Sequence, residues 1–273
     1  MIIDWDKAYD NRGHAGHDFA EAFFAKALEQ AASFRDAMTA KGRAQLDLAY
    51  GDAPREKLDL FLPEGTPKGL AVFVHGGFWR VFDKSQWSHF MAGPLARGWA
   101  VAVPSYTLAP EVRVSQITQQ VARAVAFAAA RVAGPLRLAG HSAGGHLVSR
   151  MICRDIGLAP EVASRIEHVI SISGIHDLRP MLRVALNETF GFDEEEAIAE
   201  SPVLHSPVEG ASLTCWVGGA ELPEFLRQND LLANIWTGLG ASTRSIHAPG
   251  RNHFTVLEEL TDADSDLTKE IAP

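Results

Sequence analysis

Cysteine is scarce: the 273 residues hold two, Cys153 and Cys215. Both stand in apolar surroundings and read as buried thiols, because a chain of this length builds a core without disulfide staples. Long apolar runs are missing as well, every hydrophobic stretch being broken well before the ~20 residues that a bilayer-spanning helix needs. Basic charge is short. The 25 Lys and Arg stand against 34 Asp and Glu, a net charge of −9, which opposes binding to phosphate backbones and to anionic lipid. The start, Met1-Ile-Ile-Asp-Trp-Asp-Lys7, meets charge at once and lacks the basic and apolar regions of a secretory signal. The sequence also has no His-Glu-x-x-His pair, no metal-spaced cysteine set, no Gly-x-x-x-x-Gly-Lys and no full dinucleotide fingerprint. Gly238-Leu-Gly240 is only a fragment of that fingerprint and suits a helix end. These absences set aside nucleic acid, membrane, metal and cofactor, and lead to the expectation of a soluble cytoplasmic protein.

What is present is a rhythm of short apolar runs and longer amphipathic stretches. It predicts an α/β fold, a mostly parallel sheet covered by helices on both faces, in one domain over residues 1–273. An Ala-rich stretch over 19–38 with helical spacing, with Asp18 placed to cap it, gives the helix of an N-terminal segment over 1–40. Two alternating runs, 44–50 and 57–62, flank Gly51-Asp52-Ala53-Pro54 and form an antiparallel edge hairpin. Six further strands fall over 70–75, 99–104, 136–140, 168–173, 213–217 and 243–247, making eight. Helices fill 85–97, 115–132, 145–155 and 224–239. Residues 174–207 depart from the rhythm and read as a cap-like insertion after the sixth strand. Its acidic run Asp193-Glu-Glu-Glu196 suits a solvated helix face or turn.

The chemistry starts at Gly140-His141-Ser142-Ala143-Gly144, which follows an apolar run and precedes a helical stretch. A serine on a sharp strand-to-helix turn needs small residues two before and two after it, and Gly140 and Gly144 meet that demand. Ser142 is the candidate nucleophile. The loop His75-Gly76-Gly77-Phe78-Trp79 ends the third strand, where backbone N–H groups face the nucleophile and stabilise a tetrahedral oxyanion. The donors are those of Gly77, Phe78 and Ala143, with Gly76 a further candidate, and His75 holds the loop in shape. The fold's chain order of nucleophile, acid, histidine puts the base after Ser142. His253, in the loop Ala248-Pro-Gly-Arg-Asn-His253 after the last strand, fits better than His168, His176, His205 or His247. The acid belongs after the seventh strand, where Glu221 is the first carboxylate past a glycine turn, with Glu224 and Asp230 as alternatives. Phe78 and Trp79 would rim the site and bind a flat aromatic group; a packing role for Trp79 under the loop is the competing reading.

Five segments together resemble the kynurenine formamidase (arylformamidase) branch of the α/β-hydrolases: Tyr9-Asp-Asn-Arg12, His75-Gly-Gly-Phe-Trp79, Pro104-Ser-Tyr-Thr-Leu-Ala-Pro110, Gly140-His-Ser-Ala-Gly144 and Glu224-Phe-Leu-Arg-Gln228. The serine motif is shared across the superfamily, whereas the loop ending in Trp79 combined with the Glu-Phe-x-Arg-Gln segment is much narrower. The resemblance implies an α/β-hydrolase fold, a triad of Ser142, Glu221 and His253, and hydrolysis of N-formylkynurenine to kynurenine and formate in tryptophan breakdown. A homodimer is a further implication. That family usually carries aspartate where this chain has Glu221. A carboxylesterase of short-chain acyl esters would use the same machinery. A non-catalytic binding module on the hydrolase fold is the alternative of another class, opposed by the complete Ser142 and His253 pair.

Overall fold

The computed structural model describes residues 3–273. Its centre is one eight-stranded sheet: β1 (Ala44–Ala49), β2 (Lys57–Phe61), β3 (Leu70–Val74), β4 (Ala100–Pro104), β5 (Leu136–His141), β6 (Ile166–Ile172), β7 (Ser212–Gly218) and β8 (Ser242–Ala248). The strand order is β1-β2-β4-β3-β5-β6-β7-β8. β2 runs antiparallel to both β1 and β4, and the other pairs are parallel. The central strands β3 and β4 are buried along their whole length, which is why they read as unbroken apolar runs.

Alternate residues of β3 serve opposite layers. Leu70, Val72 and Val74 enter one core with Leu147, Phe225, Leu232 and Trp236. Ala71 and Phe73 enter the other, with Trp87, Phe90, Leu257 and Leu260. Helix α1 (His17–Ala40) lies on the second face, and α2 (Val114–Ala129), α3 (Ala143–Arg150) and α4 (Pro223–Gly238) lie on the first. Among the described residues, no helix is long and apolar enough to cross a membrane.

Three local expectations change. Helix α1 starts at His17, so Asp18 lies in its first turn, where a carboxylate offsets the dipole, and Gly16 occupies the cap position. The stretch 85–97 is two 3₁₀ turns, Lys84–Gln86 and Ser88–Met91, followed by a short α-helix, Ala92–Ala96. Pro94 lacks the N–H that a continuous helix would use, and Gly93 is pressed against the Leu260 carbonyl and Thr268, where a Cβ would collide. The acidic run is only partly solvated. Asp193 caps Glu194–Ala199, while Glu196 is buried, accepting from Arg113 Nε at 2.8 Å and from Ser115 N at 3.0 Å.

The order β4-β3-β5 contains the sheet's switch point. The chain leaves β3 toward β4 on one side and returns to β5 on the other, so the loops after β3 and β5 diverge and open a crevice at the strands' carboxyl ends. Val74 and Gly140 are register partners. The residues just beyond them, the 75–82 loop and Ser142, therefore emerge side by side.

Candidate active site

Ser142 sits between β5 and α3 with φ 55° and ψ −118°, a conformation non-glycine residues avoid. Its neighbours make this fold possible. A Cβ at Gly140 would collide with the Gly144 carbonyl, and one at Gly144 with the Val74 carbonyl. The turn thus needs glycine at both places to hold the serine at the head of a helix.

The loops after β7 and β8 supply the partners. His253 Nδ1 donates to Glu221 Oε2 at 2.6 Å. Glu221 Oε1 accepts from the Ser173 hydroxyl at 2.6 Å and the Gly218 amide at 2.8 Å. All three of Ser142, Glu221 and His253 are buried. Because Nδ1 faces the carboxylate, Nε2 is the nitrogen left for chemistry, and it makes no hydrogen bond among the described residues. The other two carboxylates are committed elsewhere. Glu224 Oε1 accepts from the Tyr9 hydroxyl at 2.7 Å and Gln228 Nε2 at 2.9 Å, and Asp230 pairs with His247 at 2.8 Å.

His141 braces this pair. Its Nε2 donates to the His253 carbonyl at 2.8 Å, with the ring centroids 4.7 Å apart. Burial, then the neighbouring His253, pushes the His141 pKa well down, so it stays neutral and sets no second cation beside an imidazolium at 253.

The loop after β3 is shaped by positive φ at Gly77 (112°), Phe78 (48°) and Trp79 (55°). His75 is fully buried. Its Nδ1 donates to the Gly76 carbonyl at 2.7 Å and its ring stacks on Tyr106 at 4.4 Å. Burial pushes its pKa down to about 4; it is a neutral brace, as the sequence suggests. Gly76 lies against the Ser142 side chain, where a Cβ would come within 2.9 Å. The Gly77 and Phe78 amides take part in no backbone hydrogen bond among the described residues, and Ala143 opens α3, where first-turn amides lack intrahelical acceptors.

Ser142, His253, His141, Gly77 and Phe78 line one cavity of about 500 Å³. Trp79 does not reach it, which corrects the substrate-binding expectation. It is fully buried, donates from Nε1 to His146 at 3.2 Å and meets Phe190 and Phe192 edge-on at 5.7 and 5.8 Å. The positive φ of the loop turns its indole under the backbone. Phe78, half-buried, does line the cavity.

The sequence reading missed the opposite wall. Asp6, Lys7 and residues 9–12, together with Phe24, Phe82, Trp87 and Phe254, line the same space, and Val184 and Leu186 line it from the 174–207 insertion. One signal was available. Tyr9 and the Glu224-to-Gln228 segment join in a buried network, with Gln228 Nε2 reaching Tyr9 Oη at 3.1 Å and Gln228 Oε1 accepting from the amides of His176 and Asp177 at 2.8 and 2.7 Å. The two segments are thus halves of one device that seats the N-terminal strap over the cavity. No cluster of three or more metal-ligating side chains occurs among the described residues.

An eight-stranded, mostly parallel sheet with serine after the fifth strand, carboxylate after the seventh and histidine after the eighth defines an α/β-hydrolase. The BD-FAE family matches residues 58–209. The chain is 33% identical over 244 residues to kynurenine formamidase of Salmo salar, covering 84% of this chain and 82% of that one. Identity to the Danio rerio kynurenine formamidase is 32% over 235 residues, covering 82% and 79%. The chain belongs to the kynurenine formamidase family. A crystal structure from a Silicibacter species, described as that of a candidate thioesterase, superposes with a TM-score of 0.92 at 48% identity over the full length of both chains. An esterase of Pyrobaculum calidifontis shares the fold with a TM-score of 0.70 at 17% identity, covering 92% of this chain and 91% of that one. The protein is a hydrolase of the formamidase or esterase kind.

Proposed function

We propose that the protein is a serine hydrolase that deformylates an aryl formamide, N-formylkynurenine, releasing kynurenine and formate. The observation that carries the reading is the His253 to Glu221 hydrogen bond of 2.6 Å beside a serine held at positive φ in the same cavity. Membership of the kynurenine formamidase family supports the substrate.

In this reading the Ser142 hydroxyl attacks the formyl carbon while His253 Nε2 takes its proton. Glu221 stabilises the resulting imidazolium and fixes the tautomer. The oxyanion is held by the amides of Gly77, Phe78 and Ala143, with Gly76 shaping the approach; each such donor is worth ~10²–10³ in rate. Collapse breaks the C–N bond as His253 protonates the departing arylamine nitrogen. The formyl-serine ester is then hydrolysed by water that His253 deprotonates, and Ser142 leaves reprotonated. Cleavage of short acyl esters or thioesters uses the same steps and is the second reading, favoured by the description of the Silicibacter structure.

The test is kcat/KM for N-formyl-L-kynurenine and for p-nitrophenyl acetate on wild type and Ser142→Ala. The formamide should be strongly preferred, and the variant should lose both activities by ~10³-fold or more. Serine-dependent ester cleavage with negligible deformylation would leave a general esterase, and absence of organophosphonate labelling in folded protein would favour a binding module.

A further inference from the structure

The serine and the loop that faces it are joined by a side chain that the reaction itself does not use. His146 is fully buried, four residues after Ser142 on α3, and its amide donates to the Ser142 carbonyl at 3.1 Å. Both ring nitrogens are engaged. Nε2 donates to the Glu200 carbonyl at 2.7 Å, and Nδ1 accepts from the Trp79 indole at 3.2 Å, the two rings nearly perpendicular with centroids 5.2 Å apart. A carbonyl only accepts and an indole N–H only donates, so the neutral imidazole with its proton on Nε2 is the one form that satisfies both. Burial pushes the His146 pKa down to about 3, and Nδ1 therefore keeps the lone pair that Trp79 uses.

Each end of this link is fixed. Glu200, in the 174–207 insertion, donates its amide to the Glu196 carbonyl at 2.8 Å, and its carboxylate accepts from the Thr118 hydroxyl at 2.6 Å and from Arg150 Nε at 3.3 Å. Arg150 lies one turn beyond His146, so one face of α3 grips the carboxylate and the carbonyl of the same residue. At the other end, Trp79 closes the run of positive φ at Gly77, Phe78 and Trp79. Bulky residues keep such angles only where their surroundings over-determine them. The Trp79 indole is held by Phe190, Phe192 and the bond to Nδ1, and its carbonyl accepts from the Ala109 amide at 2.8 Å. Of these partners, His146 alone belongs to the helix that Ser142 heads. Without that acceptor the indole N–H would be a buried donor with no partner, a cost that the loop relieves only by moving.

We propose that His146 is a positioning residue: through Trp79 it fixes the 75–82 loop against α3, so that the Gly77 and Phe78 amides stand where the oxyanion forms over Ser142. The inference rests on the serine-hydrolase reading and adds to it a residue outside the cavity lining. The oxyanion charge develops only as the carbonyl is attacked, so a loosened loop lowers kcat and leaves KM. It does so alike for formamide and ester, whose carbonyl oxygens gain the same charge.

The test measures kcat and KM for N-formyl-L-kynurenine and p-nitrophenyl acetate on wild type, Ser142→Ala, His146→Leu, His146→Asn and Trp79→Phe, with a urea titration of each. Leucine removes the acceptor, phenylalanine removes the donor, and asparagine restores an acceptor at the place of Nδ1. His146→Leu and Trp79→Phe should each lower kcat by ~10-fold or more on both substrates with KM within ~3-fold of wild type, since small misplacements around reacting atoms cost up to ~10²-fold. Combined, they should be no slower than the worse single variant by more than ~3-fold, because both break one contact. His146→Asn should recover kcat to within ~3-fold of wild type while remaining destabilised, a rescue that a packing role alone would not give. A kcat within ~3-fold of wild type in folded His146→Leu, an asparagine variant as slow as the leucine one, or a loss carried by KM would overturn the inference and leave the serine-hydrolase reading standing. If His146→Leu fails to fold, Trp79→Phe decides, and an unchanged kcat there overturns the inference equally. Turnover that survives Ser142→Ala would overturn that reading and the inference with it.

Discussion

Glu221 illustrates what a single side chain must do here. One oxygen holds His253, and the other accepts from Ser173 and Gly218. Glu221→Gln should lower kcat on p-nitrophenyl acetate by ~10³-fold or more, because an amide cannot stabilise the imidazolium and favours the wrong tautomer. Glu221→Asp should cost at least ~10-fold, since a carboxylate one methylene shorter cannot reach all three partners. Glu224→Gln, by contrast, should change kcat by less than ~10-fold; an equal loss would move the acid to position 224. The sequence left Glu221, Glu224 and Asp230 as candidates for a physical reason. The path after β7 is fixed by the loop that carries the histidine, with the Gly219 amide donating to the Ala248 carbonyl at 2.7 Å and the Ala220 amide to the Arg251 carbonyl at 2.9 Å. Those contacts are not local. Ser142 and His253 could be singled out as candidates because one needs a glycine-framed turn and the other a loop at a fixed place in the chain order.

At the scale of elements, the central strands were the most legible, because burial on both faces writes them as apolar runs. The 75–82 loop was legible in place and not in shape. Bulky residues rarely adopt positive φ, so nothing in the string says that Phe78 faces the cavity while Trp79 turns beneath it. Trp79→Leu should destabilise the protein by about 2–4 kcal/mol in urea titration, as expected for a large aromatic removed from a packed site. The ratio of kcat/KM for N-formyl-L-kynurenine to that for p-nitrophenyl acetate should stay within ~3-fold of wild type. A shifted ratio at unchanged stability would return Trp79 to substrate binding. The segment 85–97 misled for a related reason: its hydrophobic spacing is helical, yet Pro94 and the close approach at Gly93 break it into turns.

For the molecule as a whole, buried histidines set the response to acid. Burial lowers the pKa of His75 and His176 to about 4 and that of His146 to about 3, against an unfolded value near 6.5. Between these values the unfolded chain binds protons that the folded one refuses, so the stability these groups contribute is present above about pH 6.5 and is lost as pH falls toward 4. Glu200, raised by burial, opposes the trend just above the ordinary carboxylate range. Asp83 and Glu270, both held down to about 2, add a further loss only below about pH 4. Urea midpoints should therefore fall steadily from pH 7 to pH 4.5. His176→Gln should flatten the slope by about one proton, or about 1.4 kcal/mol per pH unit; an unchanged slope would mean that His176 titrates normally in the folded protein.

The contact that seats the strap, Tyr9 on Glu224, joins residues 215 positions apart in the chain. On a ribosome adding about 5–20 residues per second, the first-made wall of the cavity waits roughly 10–40 s for the helix that anchors it. Through that interval Tyr9 lacks the Glu224 and Gln228 side chains that hold its hydroxyl in the folded protein. Ser142 and the 75–82 loop emerge well before the strap can dock, so the wall that Tyr9 and its neighbours contribute is the last part of the cavity to be completed.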